Sequence, residues 1–386
     1  MPQSIVFFHL LNDFSGSPRV LSQIIQNLNR SEKDVAVYTS AGNGFLSQLT
    51  DVEMHQVPYR HSGQKLLTLL LFLWAQVWMF SHVMWHYRHR EATFYVNTLL
   101  PFGAALAGKL LGLRVVYHLH VTSIRPLALK WLLKKVAEWC ADEAIYVSEY
   151  LHQTEPLQDV RSQVIYNAFS PEMADKAKLF HYRDTRKDQF EVLMLCSLKD
   201  YKGIPEYLQL ARSLPEVRFT LVLNASEADA STYFSDKAMP ENLHWLPGQK
   251  DVVPFYKQAD LVLNLSHTDA WVETFGLTLL EAMLFGVPVI GPPVGGPAEF
   301  IEDGYNGRSI DSKNHLELKL AVQRLSKRPF LCQFYSENAI ETAMRFHPKT
   351  QAKAVEALLS TPPSIPHFGT LSKNQTASWL ANATKA

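Results

Sequence analysis

Glu273 and Glu281 stand eight positions apart in the run Trp271-Val-Glu-Thr-Phe-Gly-Leu-Thr-Leu-Leu-Glu-Ala-Met283. The apolar stretch Asp260-Leu-Val-Leu-Asn-Leu-Ser266 precedes them and Gly286-Val-Pro-Val-Ile290 follows. The segment therefore reads as strand, loop, helix, strand, with one carboxylate on the loop and the other inside the helix. Between them lies Thr274-Phe-Gly276, where the free backbone amides of a helix start attract anions. Two carboxylates flanking such a helix start suit a ligand with one anionic part and hydroxyl-bearing parts beside it. A nucleoside diphosphate sugar has that chemistry.

The elements that must hold these residues follow from the rest of the chain. At 386 residues it is too long for one ordinary core, and two α/β domains are expected. A composition of 47% hydrophobic and 19% charged residues excludes global disorder. The 37 basic residues balance 37 acidic ones, so nothing points to a nucleic-acid partner. Cys140, Cys196 and Cys332 are scattered, which implies a reducing compartment, no disulfide framework and no clustered metal ligands. Ile5–Leu11 lacks the flanks of a signal peptide, so a cytoplasmic location is expected.

Strands are expected at Ile5–Leu11, Val35–Thr39, Thr93–Asn97, Arg114–His120, Glu143–Val147 and Gln163–Tyr166. Helices are expected near 18–29, 65–88, 101–112 and 126–141. The second half repeats the scheme, with strands near 190–197, 217–224, 242–246, 260–265 and 287–290. Continuously apolar strand runs favour parallel sheets covered by helices on both faces. The fold class is α/β: two Rossmann-like, doubly wound parallel-sheet domains facing a cleft, with ligands outside the carboxyl ends of the strands. The expected division is 1–168, 169–345, a helix at 346–360 packing back on the first domain, and a mobile tail at 361–386. The charged stretch from Asp175 to Asp188 reads as a linker or surface segment.

The apolar run Leu66–Phe80, followed by Trp85-His-Tyr-Arg-His-Arg90, is about 15 residues long, short of the roughly 20 that span a bilayer. A core helix covering a sheet is the favoured reading. The other reading is a helix whose aromatic and basic residues rest on a membrane surface.

Glu273-Thr-Phe-Gly-Leu-Thr-Leu-Leu-Glu281, Gly286-Val-Pro-Val-Ile290 and Gly295-Gly-Pro-Ala-Glu299 together resemble the signature of glycosyltransferase family 4, whose members have the GT-B fold and transfer sugar from a nucleotide donor with retention. Gly16, His120, Val164-Ile-Tyr-Asn167 and Lys202-Gly203 extend the resemblance over roughly 1–360. It implies that Glu281 bonds the donor ribose, that Glu273 contacts the transferred sugar, and that amides near Thr274, Phe275, Gly276 and Leu277 hold the diphosphate. Lys202 would neutralise that diphosphate and Gly16 would lie near it, while His120, Gly295 and Gly296 would line the sugar or acceptor side. His118 shares the strand parity of His120, so both should point to one face. Glu299 could cap the following helix or touch substrate, with capping favoured.

Similar transferases carry an arginine where Ser197 stands. Lys199 or a hydrogen bond from Ser197 would have to make up for it, and a neutral contact to phosphate is about half as strong as a charged one. No Asp-x-Asp motif occurs, which fits a site where lysine and a helix start replace a divalent cation, with no cofactor beyond a UDP- or GDP-type donor substrate. The resemblance further implies a saccharide or polyprenyl-linked acceptor in bacterial surface-polysaccharide assembly, with contact to the inner membrane surface through residues 66–90. Two other readings are an epimerase or hydrolase of nucleotide sugars, and a non-catalytic nucleotide-sugar-binding partner.

Overall fold

The computed structural model describes residues 3–28, 33–121, 124–180 and 189–360. Its first sheet has seven parallel strands: β1 (Gln3–Phe8), β2 (Lys33–Ser40), β3 (Glu53–Val57), β4 (Ala92–Asn97), β5 (Arg114–Leu119), β6 (Glu143–Tyr146) and β7 (Arg161–Val164). They lie in the order β3-β2-β1-β4-β5-β6-β7. The crossovers run through α1 (Gly16–Asn27), α2 (Lys65–Tyr87), α3 (Phe102–Leu110), α4 (Leu127–Cys140) and α5 (Glu149–Thr154), and α6 (Pro171–Lys178) follows β7.

The second sheet has six parallel strands: β8 (Glu191–Ser197), β9 (Arg218–Asn224), β10 (Leu243–Leu246), β11 (Leu261–Leu263), β12 (Val289–Gly291) and β13 (Arg308–Ser309). Their order is β10-β9-β8-β11-β12-β13. With them go α7 (Ile204–Ser213), α8 (Glu227–Phe234), α9 (Val253–Gln258), α10 (Leu277–Leu284), α11 (His315–Ser326), α12 (Pro329–Met344) and α13 (Pro348–Ser360).

Both faces of the first sheet are covered, as its unbroken apolar strands require. Alternate residues of β1 enter different cores. Val6 and Phe8 pack with α2 and α3, whereas Ile5 and Phe7 pack with α1 and α13. α13 thus lies on the first domain, where Arg114 donates to the carbonyls of Leu358 (2.7 Å) and Leu359 (3.1 Å), satisfying acceptors that a helix end leaves open.

Strand order reverses direction between β1 and β4 in one sheet and between β8 and β11 in the other. Loops leaving such neighbours diverge and open a crevice. The loop after β1 leads to Gly16, the turn after β8 carries Lys202, and the loop after β11 carries Glu273.

Three expectations need correction. Glu53–Val57 is an edge strand, unexpected because only Val57 is buried and no apolar alternation marks it. Part of the supposed linker is α6: Ser170 caps it by accepting from the Met173 amide (3.2 Å), Pro171 opens it, and Met173, Ala174 and Ala177 are buried. Residues 181–188 and the expected mobile tail at 361–386 lie outside the described residues.

The third concerns α2. It has 23 residues, and by length and composition it could cross a membrane. It covers the sheet as the favoured reading has it, but it is a core helix on one face only. Phe72, Ala75, Gln76, Met79 and Val83 bury one face at helical spacing, while Leu66, Leu70, Trp74 and Val77 stay exposed on the other. The buried face approaches α3 closely: a Cβ on Gly103 would lie 2.2 Å from the Gln76 carbonyl oxygen, and the Gly103 amide donates to Gln76 Oε1 at 3.0 Å.

Candidate active site

Lys202 closes a single turn of 3₁₀ helix after β8, and Gly203 (φ 82°) reverses the chain into α7 against Leu265. This geometry aims the Lys202 ammonium at the loop after β11, where it donates to Glu273 Oε2 at 2.8 Å. Asn264 Nδ2 and Ser266 Oγ lie 3.4 Å from the same oxygen. Burial pushes the Glu273 carboxyl up, but the charge and hydrogen bond of Lys202, with help from Asn264 and Ser266, hold it below the usual carboxylate range. Trp271 stacks on Tyr201 beside the pair. Ser197 ends β8, half-buried, and Lys199 is exposed at the start of the turn.

Glu273 and Thr274 are braced from below by Gly295 and Gly296. A Cβ on Gly295 would sit 2.2 Å from the Glu273 carbonyl oxygen, and one on Gly296 would sit 2.2 Å from that of Thr274. The Gly296 amide donates to the Glu273 carbonyl at 2.9 Å. Only glycine permits two backbones to meet so closely. Phe275 turns its ring into an aromatic cluster with Tyr166, Phe300 and Phe346, so its backbone alone is available above the loop. Gly276 (φ 89°) is the N-cap of α10, has no side-chain cap and is followed by Leu277 with no acid in the first turn. The amides at that helix start are therefore free to hold an anion.

Glu281 lies one turn into α10 and is 1% exposed. Tyr256 donates to its Oε2 at 2.9 Å, and the Arg19 guanidinium of the first domain pairs with Oε1. Burial first, then the Glu281 charge, raises the Tyr256 hydroxyl well above its ordinary value, which keeps it a donor.

The facing wall comes from the first domain. His120 follows β5 with its ring Nε2 2.8 Å from Asn97 Oδ1, and its carbonyl accepts from Thr274 Oγ1 at 2.6 Å. His118 does share that face, with ring centroids 4.1 Å apart. It is 1% exposed and bonded to Tyr95, so it lies beneath His120, away from the surface. Burial holds the imidazoles of His9 and His118 down at about 4 and about 3, and His120 well below its ordinary value. All three are neutral near pH 7. Gly16 is exposed at the start of α1, and a Cβ there would meet no protein atom within 4 Å. Glu299 caps a helix, but one of the other domain: it accepts from the amides of Glu149 (3.0 Å) and Tyr150 (2.7 Å) at the start of α5.

Several residues of this site escape sequence reasoning. Asn264 and Ser266 were visible as polar interruptions at the end of an apolar strand. Arg19 and Tyr256 carried no signal, because each meets Glu281 only through tertiary packing. Thr98, after β4, has φ 70°, a conformation uncommon for a β-branched residue. Away from the cleft, Glu53, His55 and His86 come together with ligand atoms within 4.8 Å of one another, a grouping not expected from the chain. Arg90 already donates to His86 there at 3.1 Å.

Residues 175–342 match the family model for glycosyl transferases group 1. The GtfA subunit of the UDP-N-acetylglucosamine–peptide N-acetylglucosaminyltransferase of Streptococcus pneumoniae is 34% identical over 140 residues, 36% of this chain and 26% of that protein. The lipopolysaccharide glucosyltransferase WaaG of Escherichia coli is 28% identical over 199 residues, 49% of this chain and 52% of that protein. The chain spans only 24% of a sucrose synthase from Thermosynechococcus vestitus, and so matches roughly a quarter of the length of several curated relatives. Among solved structures, Anabaena HepE in complex with UDP and glucose superposes with a TM-score of 0.74 at 21% identity, covering 92% of this chain and 99% of that one. The fold is therefore GT-B, and the match to the group 1 glycosyl transferase model falls on its second domain.

Proposed function

We propose that the cleft moves a hexosyl group from a UDP- or GDP-type nucleotide sugar to a saccharide or polyprenyl-linked saccharide, with retention of anomeric configuration. The observation that carries this reading is the meeting of Lys202, Glu273 and the uncapped start of α10 at the strand-order reversal of the second sheet. Lys202 and the α10 amides stand where the negative charge of a departing diphosphate grows, and preorganised donors of that kind lower the barrier most. As the bond between the anomeric carbon and the phosphate oxygen breaks, its electron pair leaves with the nucleotide. The oxocarbenium-like sugar accepts the incoming hydroxyl on the same face, and a phosphate oxygen takes the proton. Glu273 bonds hydroxyls of the transferred sugar, Glu281 those of the ribose, and His120 borders the acceptor side as a neutral imidazole. At Gly16 no protein atom requires the missing side chain, which supports close approach of a ligand to the first loop.

A divalent cation is not needed if Lys202 and the helix start carry this charge. The names of the relatives support the donor and the setting: HepE binds UDP and glucose, and WaaG acts on lipopolysaccharide. The setting proposed here is the cytoplasmic membrane face, in surface-polysaccharide assembly. Exposed Leu70, Trp74 and Trp85 on α2 and Leu127, Trp131 and Trp139 on α4 support docking there, with Arg88 lying over the Trp85 ring at 3.9 Å.

The test is incubation of UDP- and GDP-hexoses with membrane-extracted lipid-linked saccharides in the presence of a chelator. A glycosylated product with the donor's anomeric configuration is expected. The Lys202→Ala variant should turn over about a hundredfold or more slowly with an unchanged circular dichroism spectrum. Release of sugar or an epimer from donor alone would instead favour the hydrolase or epimerase reading. Near-normal turnover in the variant would remove the role given to Lys202.

A further inference from the structure

Arg19 occupies a position that its own helix disfavours. It lies in the first turn of α1, where the helix dipole repels a cation, and that turn contains no acidic residue to offset it. Its anionic partner is Glu281, from the other domain. Its remaining contacts are weak ones to Met173 Sδ (3.4 Å) and the face of Phe45 (5.8 Å). The loop ahead of α1 is held against the second domain, because Asn224 Nδ2 donates to the Phe14 carbonyl at 3.1 Å. Asn224 is the register partner of Ser197. The guanidinium is thus carried to the strand ends where the site has no arginine of its own.

The Glu281 carboxylate already has Tyr256 on one oxygen and Arg19 on the other. A ribose hydroxyl competes with them for the roughly four acceptor sites of the carboxylate, and Arg19, on a flexible stem, is the partner that can yield, since Tyr256 is buried within the domain. Glu281 stands four residues beyond Leu277, about 6 Å along the axis from the amides at the start of α10. That distance lies within the swing of an arginine side chain.

We infer that Arg19 is an exchangeable counter-ion of the donor site: it neutralises Glu281, yields that carboxylate to the ribose, and passes to the diphosphate held at the α10 start. The first domain would thereby sense the nucleotide and supply a second positive charge beside Lys202. This inference rests on the reading of the cleft as a nucleoside diphosphate site.

Calorimetric titration separates the two. UDP, GDP and ADP, each with its parent nucleoside, are titrated into the wild type, Arg19→Ala, and the double variant Arg19→Ala/Glu281→Gln, which leaves no buried carboxylate unpaired should the single variant fold poorly. The wild type should prefer one diphosphate over its nucleoside. In both variants that preference should fall about tenfold or more, the effect of one lost charge-assisted contact, while nucleoside affinity in Arg19→Ala stays level or rises. An unchanged ratio of diphosphate to nucleoside affinity overturns the inference and leaves the cleft reading intact. Absence of binding by every diphosphate to the wild type overturns the cleft reading itself.

Discussion

The Glu273 carboxyl is pulled in opposite directions, upward by burial and downward by Lys202, Asn264 and Ser266, with the downward pull dominant. A carboxylate held below its unfolded value adds stability above the ordinary range, and that contribution is lost as pH falls through the folded value. With Lys202→Met the opposing burial is left unbalanced, so carbon NMR of labelled Glu273 should show titration above the ordinary range. Unchanged titration would mean that Lys202 does not set this charge.

The three buried histidines of the first domain also lose stability as pH falls, by a different route. His9, His118 and His120 are neutral in the fold because burial opposes their protonation, yet they take up protons in the unfolded chain below about pH 6.5. Each therefore removes up to about 1.4 kcal/mol of stability per pH unit as pH falls below that value. The unfolding midpoint should drop between about pH 7 and about pH 5, with a shallower slope in His118→Gln. An identical slope in that variant would place the titration elsewhere. Parity along β5 made the His118–His120 pairing legible in the sequence. What it could not show was depth, because periodicity states which face a side chain takes but not how much chain lies over it.

Among the elements, the loop that carries Glu273 depends on close backbone contact. Gly295→Ala would bring a Cβ against the Glu273 carbonyl at φ 96°, and Gly276→Ala would place one 3.0 Å from Pro297 Cγ at φ 89°. Each should cost about 1–3 kcal/mol in denaturant unfolding. Gly295→Ala should also weaken donor binding, because the Glu273 backbone must move. Gly16→Ala meets no protein atom and should leave stability near wild type. A destabilisation of Gly16→Ala equal to that of Gly295→Ala would contradict this division.

The strand–loop–helix unit around Glu273 was readable because strands, glycines and helix start all agree locally. β3 was not, because an edge strand buries too little to need an apolar pattern. α6 hid in a charged stretch although Ser170-Pro171 is a helix-start signal.

Over the whole molecule, the polar contacts that join the two domains around the site include, among the described residues, Arg19 with Glu281, Asn224 with the Phe14 carbonyl, Thr274 with the His120 carbonyl, and Glu299 with the α5 amides. None was legible, since each joins residues whose proximity only the packed fold creates. The cleft itself was, because alternating strands and helices imply two doubly wound sheets.

The uncovered face of α2 and α4 belongs to this scale too. Sedimentation with anionic vesicles should pull down the wild type, and Trp74→Ser/Trp131→Ser should reduce that binding severalfold without changing the unfolding midpoint, since both rings are exposed. Equal binding by the variant would remove the membrane from the account.

The central claim is that Lys202 and the α10 start hold a nucleoside diphosphate, and a thermal-shift titration with UDP, GDP and ADP tests it most directly. One of the three should stabilise the wild type by about 2.7 kcal/mol at about a hundred times its dissociation constant, and Lys202→Ala should need a much higher concentration for the same shift. A wild type that responds to none of them, or a variant that responds equally well, would contradict it.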